Sequence, residues 1–206
     1  NPPIDPIREE TVMSLISYLG PRANLLDLNI DKVRRIFLKQ PVLTTDLMEK
    51  IEACSSKYPK SFRKKRFSIL FEKNKTFKSI RYDLSNLCRR IEYQVKEKNC
   101  KIVILSDLGV SKKLVAYPSL LAVSAVHHHL IKRGLRTKCS IIAETGEARE
   151  VHHFCLLGGY GAEAIFPYLA LKTLSKLDNE DFQTSPKIIH ENEKKYVKAL
   201  GKGILK

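Results

Sequence analysis

The side chains best equipped for chemistry fall in four places. His127, His128 and His129 stand in a row, His152 and His153 form a second run, and Gly158, Gly159 and Gly161 flank Tyr160 in a glycine-rich turn. The fourth place is a pair of dipeptides that follow apolar runs, Ser106-Asp107 and Glu144-Thr145. The histidines suggest a metal, but successive residues of a helix point about 100° apart, so three in a row cannot converge on one ion. His152 and His153 have the same defect, and no H-x-x-x-H or H-E-x-x-H spacing occurs. A metal site would need one histidine from each run. The plainer reading is that some are packed and bonded through a ring nitrogen while others are solvated.

The glycines suggest a phosphate cradle, yet such a loop follows a strand and opens a helix. Gly158 to Gly161 follows a helical pattern and precedes a strand-like run, which predicts a helix C-cap and αβ turn where glycine supplies positive φ. Gly201 and Gly203 lie inside a helical pattern and are weaker candidates still. The five cysteines, Cys54, Cys88, Cys100, Cys139 and Cys155, are odd in number, scattered and never spaced C-x-x-C. That excludes a zinc knuckle or disulfide framework as the organising feature and reads as reduced thiols of a cytosolic or plastid-like compartment.

The elements around these residues are those of an α/β protein. Phe77, Ile80, Leu84, Leu87, Cys88, Ile91 and Val95 trace one helical stripe for about five turns. Lys101 to Leu105 is then a short, nearly all-apolar run of the kind found in parallel strands buried on both faces. A helix over Pro118–Arg133, a strand over Cys139–Ala143, a helix over Gly146–Leu157, a strand over Ala164–Phe166 and a further helix follow. Strand alternating with helix at this spacing predicts βαβ units and a parallel sheet, open or as an incomplete barrel.

N-terminal helices are expected to precede this repeat. Asp5-Pro6 with Glu9 and Glu10 is a helix start, Ile7, Val12, Leu15, Ile16 and Leu19 make its apolar face, and Gly20-Pro21 ends it. Shorter helices are predicted over Asp31–Leu38 and Thr45–Cys54, and Ser55 to about Asn74 reads as irregular and surface-lying. In parallel α/β folds chemistry gathers at the C-terminal ends of the strands, where Ser106, Asp107, Glu144 and Thr145 would stand. The alternative is that they cap the helices that follow. Near the C-terminus Tyr196, Val197, Leu200, Ile204 and Leu205 keep helical spacing up to Lys206, and the first residue is Asn1 rather than Met, so the sequence reads as a piece of a longer one.

With 206 residues and 43% hydrophobic content the chain can bury one sizeable core. Neither a run of about 18 apolar residues nor a basic and apolar leader is present, so no membrane association is expected. The net charge of +15 is concentrated between Lys57 and Arg81, where ten basic residues face one acid, Glu72. Phe62, Phe67, Phe71 and Phe77, interleaved there, could stack on bases, but phenylalanines between charges are the usual core-facing side of an element whose other side is solvated. Nucleic acid is therefore not the expected partner.

Several long segments resemble glutamate synthase. They are NPPIDPIREETVMSLI (Asn1 to Ile16), ILSDL (Ile104 to Leu108), PSLLAVSAVHHHLIKRGLRT (Pro118 to Thr137) and ETGEAREVHHF (Glu144 to Phe154), closed by GYGAEA from Gly159 and PYLA from Pro167. The resemblance implies the central domain of that enzyme over residues 1–190, with 55–75 as an irregular basic surface segment. Residues 191–206, ending YVKALGKGILK, would lead into an FMN-binding domain. It further implies an oxidoreductase acting on CH–NH2 donors. In the enzyme it resembles, a glutaminase domain releases ammonia from glutamine at an N-terminal cysteine, and an FMN barrel with a 3Fe-4S cluster adds it to 2-oxoglutarate and reduces the imine.

None of those catalytic centres maps onto this chain, so no catalytic, cofactor-binding or metal residue is assigned, and the fragment alone is expected to be inactive. Its implied partners are the glutaminase and FMN domains of the same polypeptide and, as electron donor, a small NAD(P)H-oxidising subunit or ferredoxin. Val126 to Thr137 and Gly146 to Phe154 resemble the pyridine-nucleotide-dependent bacterial type more than the ferredoxin type. The chain departs from the family in its basic stretch and at Phe166, where the family often has Asn. The alternatives are an independent α/β enzyme or small-molecule binder using Asp107 and Glu144, and a basic nucleic-acid binder.

Overall fold

The computed structural model describes residues 12–23, 34–176 and 186–206, with side chains of the last segment from residue 190. Its centre is a four-stranded parallel sheet of β3 (Lys64–Ser68), β5 (Ile102–Ser106), β7 (Ser140–Glu144) and β8 (Ala164–Phe166), arranged in that order. Residues 41–43 extend it beyond β8. Leu43 N donates to Ile165 O and Ile165 N to Pro41 O, both at 2.8 Å, around a parallel bridge between Val42 and Ile165.

Each crossover carries a helix. α3 (Phe77–Lys96) joins β3 to β5, α4 (Ser119–Lys132) joins β5 to β7, and α5 (Val151–Gly159) joins β7 to β8. All three lie on one face. Val103, Leu105, Ile141, Ala143, Ile165 and Phe67 of the sheet pack there with Ile91, Val126 and Phe154, one from each helix. Neighbouring strands in sequence order, with every crossover helix on the same side, make a singly wound sheet like part of a barrel rather than a doubly wound one.

Alternate residues face the other way, because side chains along a strand point to opposite faces. Ile102, Ile104, Ile142 and Ala164 meet Met48 and Ile51 of α1 (Thr45–Lys57), together with Leu19 and Leu38. These last two come from β1 (Ser17–Leu19) and β2 (Ile36–Leu38), an antiparallel pair. It sits at the N-terminal end of the sheet, where Gly20 N donates to Ser140 Oγ at 2.9 Å and Ser17 Oγ donates to Glu163 O at 2.8 Å. A short α2 (Pro59–Phe62) leads into β3. At the opposite end β4 (Leu70–Glu72) and β6 (Leu114–Ala116) form a second antiparallel pair, with Phe71 against Tyr117 at 4.6 Å between ring centroids. α6 (Tyr168–Leu174) and α7 (Pro186–Leu205) complete seven helices among the described residues.

The α/β class, the strands β5, β7 and β8, and helices α1, α3 and α4 agree with the sequence-based expectations. Four expectations need correction. The N-terminal helix does not reach Leu19, because Ser17–Leu19 is strand; its start lies outside the described residues. The helix expected over Asp31–Leu38 gives way to β2 at Ile36, residues 31–33 being outside the description. The supposedly irregular 55–74 region holds the end of α1, α2, β3 and β4, with Phe62 and Phe67 in the core. Finally α5 begins at Val151 rather than Gly146, because Thr145–Glu150 is used as a capping loop.

Candidate functional site

The C-terminal ends of β5 and β7 bring Ser106, Asp107, Glu144 and Thr145 together, as the parallel sheet requires. Asp107 and Glu144 are only 3% and 1% exposed, so their partners decide what they can do. Asp107 Oδ2 accepts from Thr145 Oγ1 at 2.7 Å and from Gly146 N at 2.9 Å. The Tyr168 phenol faces the same carboxylate, and burial first, then the interaction with Asp107, raises its pKa. The Asp107 side chain is thereby a clamp on the loop that follows β7.

Glu144 is committed as fully. Arg66 Nε donates to its Oε2 at 2.8 Å and Arg66 Nη2 to its Oε1 at 3.0 Å, while the same Nη2 reaches Glu52 Oε1 of α1 at 2.7 Å. The Glu144 hydrogen bond is the largest cause raising the Arg66 pKa, against the opposing effect of burial. Lys64 Nζ lies 3.4 Å from Glu52 Oε2 and completes a charge network joining β3, α1 and β7. Neither carboxylate is poised as a free general base.

Helix N-termini at this end of the sheet are the other place where an anionic ligand could sit. Both of those nearest the β7 loop are filled by the chain's own carboxylates. Glu147 Oε2 accepts from Ser119 N at 2.7 Å and Ser119 Oγ at 2.6 Å at the start of α4, and Glu150 forms a capping box with His153 at the start of α5. The thiols do not fit an iron-sulfur cluster, since Cys88, Cys100 and Cys139 are buried and inert, with burial pushing them up to about 11, about 11 and about 12. Among the described residues no group of three or more His, Cys, Asp or Glu side chains is placed to hold a metal ion.

The histidines separate into distinct structural roles. His127 Nδ1 accepts from Arg136 Nε at 2.8 Å. His128 bonds to Ser124 O of its own helix, and His129 Nε2 meets Glu92 Oε2 of α3 at 2.7 Å. His153 caps α5, and His152 is exposed. Gly161 has φ of 115° in the αβ turn that the sequence predicts, and a Cβ there would collide with the His127 ring. Arg136 ties this corner together by donating to Gly161 O and Glu163 Oε1, both at 2.7 Å. Sequence reasoning missed Arg66 and Arg136 as network centres, because a single arginine amid other cations carries no spacing signal.

The fold defines the class as a singly wound α/β domain whose strand-end polar groups are turned into internal bonds. The chain matches, over residues 1–206, the family described as the glutamate synthase central domain, and it belongs to that family. It is 38% identical over its full length to the NADH glutamate synthase of Schizosaccharomyces pombe, covering 10% of that protein. It is 40% identical to the large chain of the NADPH glutamate synthase of Bacillus subtilis and 37% identical to the ferredoxin-dependent glutamate synthase 1 of Arabidopsis thaliana, covering 13% of each. The chain spans about a tenth of the length of the curated relatives it matches. Among the described residues no helix is long and apolar enough to cross a membrane.

Proposed function

We propose that this chain is the scaffold linking the glutaminase and FMN synthase sites of a glutamate synthase, which forms glutamate from glutamine and 2-oxoglutarate. In this reading residues 1–190 are the linking body and 191–206 lead into the FMN-binding domain. FMN and the 3Fe-4S cluster belong to the remainder of the polypeptide, and the isolated segment turns over nothing. The observation that carries the reading is the internal commitment of Asp107, Glu144, Glu147 and Glu150, which leaves the strand ends without a free acid or anion cradle. An independent enzyme using Asp107 and Glu144 would need the opposite arrangement.

The electron donor is NADH, NADPH or ferredoxin, the three named among the relatives, delivered by a small oxidising subunit or by ferredoxin itself. The enzyme works in the cytoplasm, or in a plastid where the source has one. Reading the open frame on either side of the segment tests this. A glutaminase domain with a mature N-terminal cysteine upstream and a flavin barrel with a cysteine cluster downstream support it; a start codon before Asn1 and a stop after Lys206 overturn it.

A further inference from the structure

β3 is bonded to β5 on one side and has no strand partner on the other among the described residues. The ladder shows which main-chain groups face that open edge. Ile102 N donates to Arg63 O and Ile69 N donates to Ser106 O, so odd-numbered residues of this segment bond toward β5 and Lys64, Arg66 and Ser68 bond away from it. Lys64 N is already taken by Ser55 Oγ at 3.2 Å. Among the described residues the N–H and C=O of Arg66 and the N–H of Ser68 remain as an open strand edge.

Beside that edge runs a cleft of about 810 Å³ between β3 and α3, lined by Lys65, Phe67, Arg89, Arg90 and Tyr93 among others. Its cations outnumber its acids. Lys75 is matched by Asp83 at 2.7 Å, but Lys65, Arg89 and Arg90 have no carboxylate partner among the described residues. The lining along α3 extends from Asp83 to Gln94, roughly 16 Å at 1.5 Å per helical residue, the span of about five residues of extended chain. A compact anion would need converging donors, whereas an elongated basic groove beside an open strand suits an extended acidic segment.

We propose that this edge and cleft receive an extended, acidic segment of the same polypeptide from outside residues 1–206, added to β3 as a further strand, with its carboxylates on Lys65 and Arg90. The inference rests on the reading of the chain as part of a larger glutamate synthase, whose relatives are about ten times longer. Charge complementarity selects an acidic occupant, and cations on the edge repel a second copy of β3.

The test uses the purified full-length enzyme with a photoreactive benzophenone amino acid at position 68. A photo-adduct on a stretch with at least two Asp or Glu in about five residues, elsewhere in the same polypeptide, is expected. Its yield should fall about fivefold or more in the Lys65→Glu, Arg90→Glu double variant and in high salt. The proposal is overturned by no adduct outside residues 1–206, by an adduct to a non-acidic segment or a second copy, or by a yield indifferent to charge reversal. Arg90→Gln serves in place of the double variant if that fails to fold. Failure of the parent reading is seen separately, as the absence of glutaminase and flavin domains from the frame.

Discussion

Arg66 on β3 grips Glu144 on β7 with two hydrogen bonds of 2.8 and 3.0 Å, although β5 lies between their strands. Adjacent strands are about 4.8 Å apart, so the arginine reaches across a whole strand to neutralise a carboxylate that is almost fully buried. The same guanidinium holds Glu52, which fixes α1 over the sheet.

Removing the cation should therefore cost more than an ordinary surface pair. Arg66→Ala leaves Glu144 buried without its partner and is expected to destabilise by about 3 kcal/mol, and Arg66→Lys should recover less than half because a point charge cannot replace the two-pronged contact. Thermal or urea unfolding of the variants measures this.

Asp107→Asn separates a structural role from a catalytic one. The amide keeps one acceptor for Thr145 or Gly146 but loses the charge, so stability should fall by about 1–2 kcal/mol. Turnover of the full-length enzyme, normalised to folded protein, should remain within about threefold of wild type. A general base would lose on the order of a hundredfold or more with the fold intact.

Gly161→Ala meets two obstacles at once, a backbone at φ of 115° and the His127 ring in the space a Cβ would fill. A loss of at least about 2 kcal/mol is expected. His127→Ala should recover part of it in a double-mutant cycle, since one of the two obstacles is then removed.

The same corner gives a pH dependence. Burial first, and then the positive charge of Arg136, depress the His127 pKa below its ordinary value of 6.5. Between the depressed folded value and 6.5 the unfolded chain binds the extra proton, so stability should be fully present above pH 6.5 and decline as pH falls below it. His127→Gln should flatten that decline in a series of melting curves across this range.

What the sequence disclosed follows from period and length. The stripe through Leu87, Cys88, Ile91 and Val95 and the all-apolar Ile102–Leu105 run are long or pure enough to signal α3 and β5 directly. Phe77, at the start of that stripe, is nevertheless 78% exposed. β3 escaped notice because Lys64-Lys65-Arg66-Phe67-Ser68 is an edge strand whose charge hides its single core residue, Phe67. β1 and β2 have three residues each, too few to outweigh the helical spacing around them. At the strand ends, residue types identified Asp107 and Glu144 as worth following, but only their bonded partners distinguish a clamp from a base.

In the proposed scaffold role the segment keeps two distant reactions in step, and α7 offers a handle on it. Gly203 lies so close to Val151 of α5 that a side chain there would force the helices apart. The measurement is the number of glutamines hydrolysed per 2-oxoglutarate consumed by full-length Gly203→Val enzyme, beside wild type. A wild-type ratio near one that rises well above one in the variant, with glutamine hydrolysis itself retained, is the predicted result. A ratio unchanged at one, with both activities normal and α7 shown by hydrogen exchange to be loosened, would contradict the scaffold account.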